Sequence, residues 1–467
     1  MAPSNKTDLG RRLLLKALGA GATALAAPML WIPRPALAQT SGRGAVKHLI
    51  YIRLSGGFRF TTAFNAVEAD QFNPFGRSGA AAAGTEWGVS SLLDRATWLD
   101  GDQGQLRRDQ GMRPLSALSN ELLVLPCVDH EPYSARADGN HGTGLERFLT
   151  GFVGGGTSVL TYVNYGLRAQ VDAAAAEGVT LLPAFSLGES GMSAGAGSYA
   201  GYRAPVLEGE GLGGFVSAGQ TGLPSWASGI ATAVDARMAA ALTSRHRPQV
   251  ESYQRAREAT RAYGRIFQDP ILTSPSTSAT LVDGISNADL DLLLGTDRTA
   301  RRLALALRLF HFGCPAVFLN QGGYDLHSGE NAQLPGQMEA LNRLISGLNV
   351  ALKRMQHPSG GTYWDHTLVV LGSEFGRTAS GSRYNSAGGS DHSSDRATRW
   401  MSMPMMGGVI SAAGKGGRQL GSTRASDLEA TGKVYSYRAV MKTLLDLLGA
   451  DHQGVFPADA PIEDLFL

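Results

Sequence analysis

Cysteine is nearly absent from this chain, with two in 467 residues, and Cys127 and Cys314 sit far apart in apolar surroundings, LVLPCVDH and HFGCPAVFLN. That excludes a disulfide scaffold and a thiolate metal cage, and predicts two buried, unbridged thiols. Neither charge dominates: 42 Lys and Arg face 40 Asp and Glu, without a basic stripe interleaved with aromatics, which argues against a nucleic-acid partner. Walker-type phosphate loops, dinucleotide fingerprints and H-E-x-x-H are also missing. The apolar run Ala17–Ile32 has 16 residues and stops at Pro33, short of the roughly 20 that a membrane-crossing helix needs.

That run belongs to an address. Arg11 and Arg12 open GRRLLLK, close to the twin-arginine export pattern, and Ala36, Leu37 and Ala38 supply a small-residue cleavage site. Residues 1–38 therefore read as a twin-arginine signal peptide, with the export machinery as partner and a periplasmic or extracellular destination. An uncleaved anchor is the alternative. Proteins on this route fold before crossing, so a metal would be loaded inside the cell. Residues 1–38 hold five basic residues and one acidic residue, which leaves 37 against 39, a net of −2, and no stable membrane span after cleavage.

Glycine is the abundant residue, at 60 positions, and gathers in loops. KHLIYIRL (47–54) reads as a buried first strand, ELLVLPCV (121–128) as a second, and TLLPAFSL (180–187), CPAVFLN (314–320) and HTLVVLGS (366–373) as later ones. A helix is expected from about Gly142 to Leu149. Leu334, Met338, Leu341, Leu344, Ile345, Leu348 and Leu352 form the stripe of another that packs on a sheet. A final amphipathic helix runs from about Tyr435 to Leu448. Strands alternating with helices predict an α/β domain over 39–467, a doubly wound, mostly parallel sheet flanked by helices, with insertions near 66–120 and 188–229.

Three segments carry the chemistry: YDLHS, LVVLGSEFGR and GGSDHSS, each following a strand or turn. Carboxylates and imidazoles delivered by separate loops are how an α/β protein assembles a divalent-metal site. Asp325 and His327 are two apart, so extended backbone aims both the same way. Asp391 and His392 are adjacent in a glycine-rich loop, where one can ligate while the other orients it. Glu374 follows a strongly apolar strand; the bland alternative pairs it with Arg377. Mixed oxygen and nitrogen donors suit zinc, manganese or iron.

LIYIRLSGG, GNHGTGLERFLTG, LPAFSLGESG with GSYAGY, GGYDLHS, LVVLGSEFGRT, GGSDHS and GGVISAAGKGGRQLG resemble, in this order, the landmarks of the domain of unknown function 1501 family. Its members are exported proteins, often with twin-arginine leaders, similar to sulfatases and alkaline phosphatases. The resemblance implies an alkaline-phosphatase-like sheet with metal ligands at strand ends. Asp325, His327 and His392 match the group that holds one metal in that superfamily. Glu374 stands where relatives have an Asp-His pair, and the exit of the first strand, SGGFRFTTAFN, lacks their usual carboxylate. One metal, or none, follows more readily than two.

HGTGLERFLTG is similar to the sulfatase segment that begins with the nucleophile, which puts His141 at that position. Thr143 is the alternative nucleophile, and His141 otherwise binds the anion, acts as base or ligates metal. Asn140 is placed to cap that helix, and free N–H groups there would favour an oxyanion. Arg53 or Arg59 would hold a small anionic ester substrate. Together these imply a metal-dependent phosphate- or sulfate-ester hydrolase; a non-catalytic exported binding or assembly protein on the same scaffold is the alternative. GMSAG (191–195) matches G-x-S-x-G with Ser193, but GSYAGYRAP follows where the elbow needs a helix.

Overall fold

Seven consecutive buried residues suit a strand flanked by strands and covered on both faces. His48–Leu54 (β1) is such a strand. A computed structural model, which describes residues 43–68, 72–131, 139–188, 191–209, 225–241, 263–264, 266–377, 392 and 399–465, places it inside an eight-stranded sheet. The others are Leu122–Asp129 (β2), Phe185–Leu187 (β3), Val206–Leu207 (β4), Ala316–Gln321 (β5), Thr367–Gly372 (β6), Trp400–Met406 (β7) and Tyr435–Ser436 (β8). In space they run β8, β2, β7, β6, β1, β5, β3, β4. Every pairing is parallel except those of β7, which runs against β2 and β6.

Six helices cover the faces: His141–Thr150 (α1), Val159–Gly166 (α2), Asn287–Leu294 (α3), Arg298–His311 (α4), Glu330–Arg354 (α5) and Tyr437–Leu447 (α6). The period-two alternation of a strand sorts the core between them. Ile50, Ile52, Val317, Leu319, Val369 and Leu371 pack with α3, α4 and α5. Leu49, Tyr51, Phe318, Leu368 and Val370 pack with α1, α2 and α6. All seven apolar residues of the stripe from Leu334 to Leu352 are buried on α5. Tyr51 donates to Tyr437 at 2.6 Å and Tyr437 to the Phe148 carbonyl at 2.6 Å, which ties β1 to α6 and α1.

Three expectations are adjusted. Of 180–187 only Phe185–Leu187 is strand, because Pro183 has no N–H for a ladder. β7 was not anticipated: WMSMPMM is rich in methionine and contains Pro404, and neither residue signals a strand. Part of 188–229 is more than a surface excursion, since Val206–Leu207 adds an edge strand to the sheet. The stretch 66–120, where described, is mainly irregular, with short 3-10 turns and one helix at Gly101–Asp109. Cys127 and Cys314 are buried and not joined by a disulfide. Residues 1–38, where a signal peptide is expected, lie outside the described residues, and among the described residues no helix is long and apolar enough to cross a membrane.

At the amino-terminal rim of the sheet, two buried histidines close a chain of hydrogen bonds. His48 Nδ1 donates to the Cys314 carbonyl at 2.8 Å, so its Nε2 bears the lone pair. The Ser359 amide donates to His357 Nδ1 at 3.1 Å, so His357 carries its hydrogen on Nε2, 3.2 Å from His48 Nε2. Only neutral rings satisfy this pattern. Burial, then the charges that His48, His366 and Lys47 would bring, push the His357 pKa far below its ordinary value. The unfolded chain therefore binds a proton that the folded one refuses. Stability from this ring is complete above about pH 6.5 and falls by about 1.4 kcal/mol per pH unit below it. Melting temperatures between pH 5 and 8 should show that slope, and His357→Gln, which cannot titrate, should flatten it.

Candidate metal centre

The parallel strands deliver their carboxyl ends to one rim, where ligands bind in open α/β sheets. Asp325 and His327 follow β5, and Glu374 and Arg377 follow β6. His141 opens α1 after β2. His392 precedes β7, whose reversed direction brings its beginning to the same rim.

His141, Asp325, His327 and His392 each offer a ligand atom, all within 4.8 Å of one another. His327 Nε2 lies 3.0 Å from Asp325 Oδ1 and 3.1 Å from His392 Nε2, and His141 Nε2 lies 3.4 Å from Asp325 Oδ1. A tetrahedral ion with bonds near 2.05 Å separates its ligands by about 3.3 Å, so these three spacings already match its edges.

The far side of each ring argues the same way. His392 Nδ1 donates to the Gly139 carbonyl, which leaves the lone pair on Nε2. His141 Nδ1 faces Glu374 Oε1 at 3.5 Å, and its buried Nε2 has no hydrogen-bond partner. Imidazoles oriented from behind by a carbonyl and a carboxylate are the usual supports of metal-binding histidines. Glu374 is thus behind the ligands rather than among them. Asp391 lies outside the described residues.

Close approach makes the cluster tight. Gly56 has φ +118°, and a Cβ there would stand 2.3 Å from the Asp325 amide nitrogen; one on Gly139 would stand 1.3 Å from the His392 carbonyl oxygen. The buried ring of Phe375 packs on His141 and His392 with centroids 5.0 and 4.8 Å away.

Residues 103–461, the greater part of the chain, match the family described as "Protein of unknown function (DUF1501)". The chain belongs to the DUF1501 family. Comparison with curated proteins and with solved structures finds no match.

In this DUF1501 protein the surroundings favour the ligand-ready state at Asp325 and His392, while Glu374 favours a protonated His141 that an ion would have to displace. Burial would raise the Asp325 carboxyl, but the hydrogen bond and charge of Arg377, at 2.8 Å, with His141 and His327, hold it below the usual range. Burial likewise opposes Glu374, yet His141, Arg53 and the Gly56 N–H, at 2.8 Å, keep its pKa low. Burial, then nearby charge, lowers the pKa of His392. Glu374 raises that of His141. Arg377 pairs with Asp325 on another loop. The spacing of SEFGR places Arg377 beside Glu374 in sequence, and nothing in it reports the partner on another loop.

The remaining candidates are otherwise engaged. Arg53 Nε donates to Asn320, its register partner on β5, at 2.8 Å, and Nη2 to Ser55 at 2.9 Å. Arg59 forms an interior ion pair with Glu330 at 2.6 Å. Both side chains are buried. Asn140 caps the Gly142 and Thr143 amides at 2.8 and 3.3 Å, which occupies N–H groups expected to receive an oxyanion. The Thr143 hydroxyl turns back to the Asn140 carbonyl at 3.4 Å.

The purified DUF1501 protein should retain one divalent ion through gel filtration. His327→Ala and His392→Ala should each lose it by elemental analysis, while Glu374→Gln, which keeps the ligands and weakens their support, should bind about 10 to 100-fold less tightly.

Proposed function

We propose that this protein is an exported, metal-dependent hydrolase of phosphate or sulfate esters, built on an alkaline-phosphatase-like scaffold and sent to the periplasm or beyond by its twin-arginine leader. The observation that carries the reading is the three-histidine, one-carboxylate cluster at the carboxyl rim. Zinc, manganese or iron fits those donors. A bound divalent ion there supplies charge neutralisation and polarises an ester oxygen.

The chain's own groups do the rest. Glu374 and the Gly139 carbonyl fix the tautomers of His141 and His392. Arg377 offsets the charge of Asp325. The half-exposed side chains of Asp325 and His327 leave one side of the cluster open for a substrate. His141, at the helix start, serves in this reading as a ligand, with one nitrogen toward the cluster and the other toward Glu374.

A second reading has its own support. The exit of β1 reads Ser55, Gly56, Gly57, with no carboxylate for a second metal, and the Gly56 backbone fills the space against Asp325. A non-catalytic binding or assembly protein on the same scaffold has no need of that ligand.

Hydrolysis of 4-nitrophenyl phosphate and 4-nitrophenyl sulfate by the metal-replete mature protein separates the two. The hydrolase reading expects turnover that chelation abolishes, that added metal restores, and that falls at least 100-fold in His327→Ala. Stoichiometric metal with no turnover of either ester would move the assignment to the binding protein.

A further inference from the structure

A phenyl ring cannot ligate an ion, yet Phe375, completely buried after β6, packs against two of the four candidate ligands. It stacks on His392 with an interplanar angle of 26° and a centroid distance of 4.8 Å, and it meets His141 at 56° and 5.0 Å. His141 and His392 cross each other at 67°, with centroids 4.4 Å apart. The three rings form one packed group, in which a flat apolar side chain bears on how both imidazoles lie.

Two glycines make the slot that Phe375 occupies. A Cβ on Gly57, where φ is +77°, would stand 2.0 Å from Cε2 of the ring, and one on Gly144 would stand 2.8 Å from Cδ1. Those atoms belong to opposite edges of the ring, so the exit of β1 and the first turn of α1 close on it from both sides. A close-packed ring gripped at both edges keeps one plane. The glycines of the SGG and HGTG motifs thereby gain a reason that the ligands alone do not give.

Hydrogen bonding leaves a freedom that this packing removes. The Gly139 carbonyl holds His392 Nδ1, and Glu374 faces His141 Nδ1. Each contact fixes one ring atom, while the χ2 torsion of histidine is broad, so the imidazole can still rock about that atom. A flat neighbour against the face stops the rocking.

We propose that Phe375 is a positioning residue: gripped by Gly57 and Gly144, it sets the planes of His392 and His141 so that their Nε2 atoms converge, and the stiffened cluster discriminates for zinc against manganese. The inference presupposes the single metal centre of the proposed function. Zinc accepts a tetrahedral, nitrogen-rich site, whereas manganese favours octahedral, oxygen-rich surroundings. Ligands held to a narrow tolerance by the residues behind them make that difference count.

Cobalt(II) is the probe, because its visible absorption is intense when four-coordinate and weak when octahedral; competition between zinc and manganese for the purified protein is the second readout. Wild type should give the intense spectrum. Phe375→Leu keeps an apolar filler without the plane. Gly144→Ala leaves every ligand and Phe375 in place, favours the helix, and presses on the ring edge and, at 3.3 Å, on the Glu374 carbonyl. Each variant should weaken the cobalt bands and narrow the zinc preference about tenfold, with circular dichroism unchanged. Combining them should cost little beyond Phe375→Leu alone, since the plane is already lost. Unaltered bands and zinc preference in both variants, or fully additive losses, would overturn the proposal. A wild type that takes up neither cobalt nor zinc would remove the metal centre itself, and this inference with it; metal uptake without ester turnover would leave the role of Phe375 standing.

Discussion

Gly56 is where the rim of the sheet is fastened. Its N–H donates to Glu374, its carbonyl accepts from Arg377, and its α-carbon lies against the backbone of Asp325. One residue without a side chain therefore joins the exits of β1, β5 and β6. With φ at +118° and no room for a methyl group, the position admits little else. The carboxylate behind His141, the cation beside Asp325 and the loop that carries Asp325 and His327 are all registered against that single peptide. The geometry of the ligand cluster is in this sense a property of the backbone of the central strand.

The two histidine pairs at opposite ends of the sheet show how the same side chain is given different tasks. His48 and His357 meet at 3.2 Å with one ring donating and the other accepting, so the contact is complete within the protein. His327 and His392 meet at 3.1 Å beside a carboxylate, with His392 oriented so that its lone pair faces the shared space. What differs is the partner of the outer nitrogen. An amide donor on one ring and a carbonyl on the other lock the first pair into a neutral hydrogen bond, while acceptors behind His141 and His392 turn both inner nitrogens into donors of electron pairs.

Much of this was legible in the sequence because burial leaves a strong mark. The apolar runs at 47–54, 121–128, 314–320 and 366–373 each became strands within two residues of the expected bounds. The spacing in YDLHS and the isolated histidine of GGSDHS drew attention to Asp325, His327 and His392, since polar residues at strand ends need a reason. What could not be read were relations across the chain. Arg53 and Arg59 looked available for an anion, and only tertiary structure supplies Asn320 and Glu330 as their partners. Arg377 looked like a neighbour of Glu374, yet it reaches a different loop. β7 was hidden because its residues carry no strand preference and gain their place from the neighbours on either side.

The reversed course of β7 has a consequence for how the domain can diversify. The chain leaves the rim after Gly372 and returns to it before Trp400, so the connection between them is anchored at both ends beside the same cluster. That connection carries Glu374, Arg377 and His392, so a change in it acts on one ligand and on the supports of the others while the strand pairings stay in place. A lineage could thus retune or dismantle the cluster by editing a single contiguous stretch of gene.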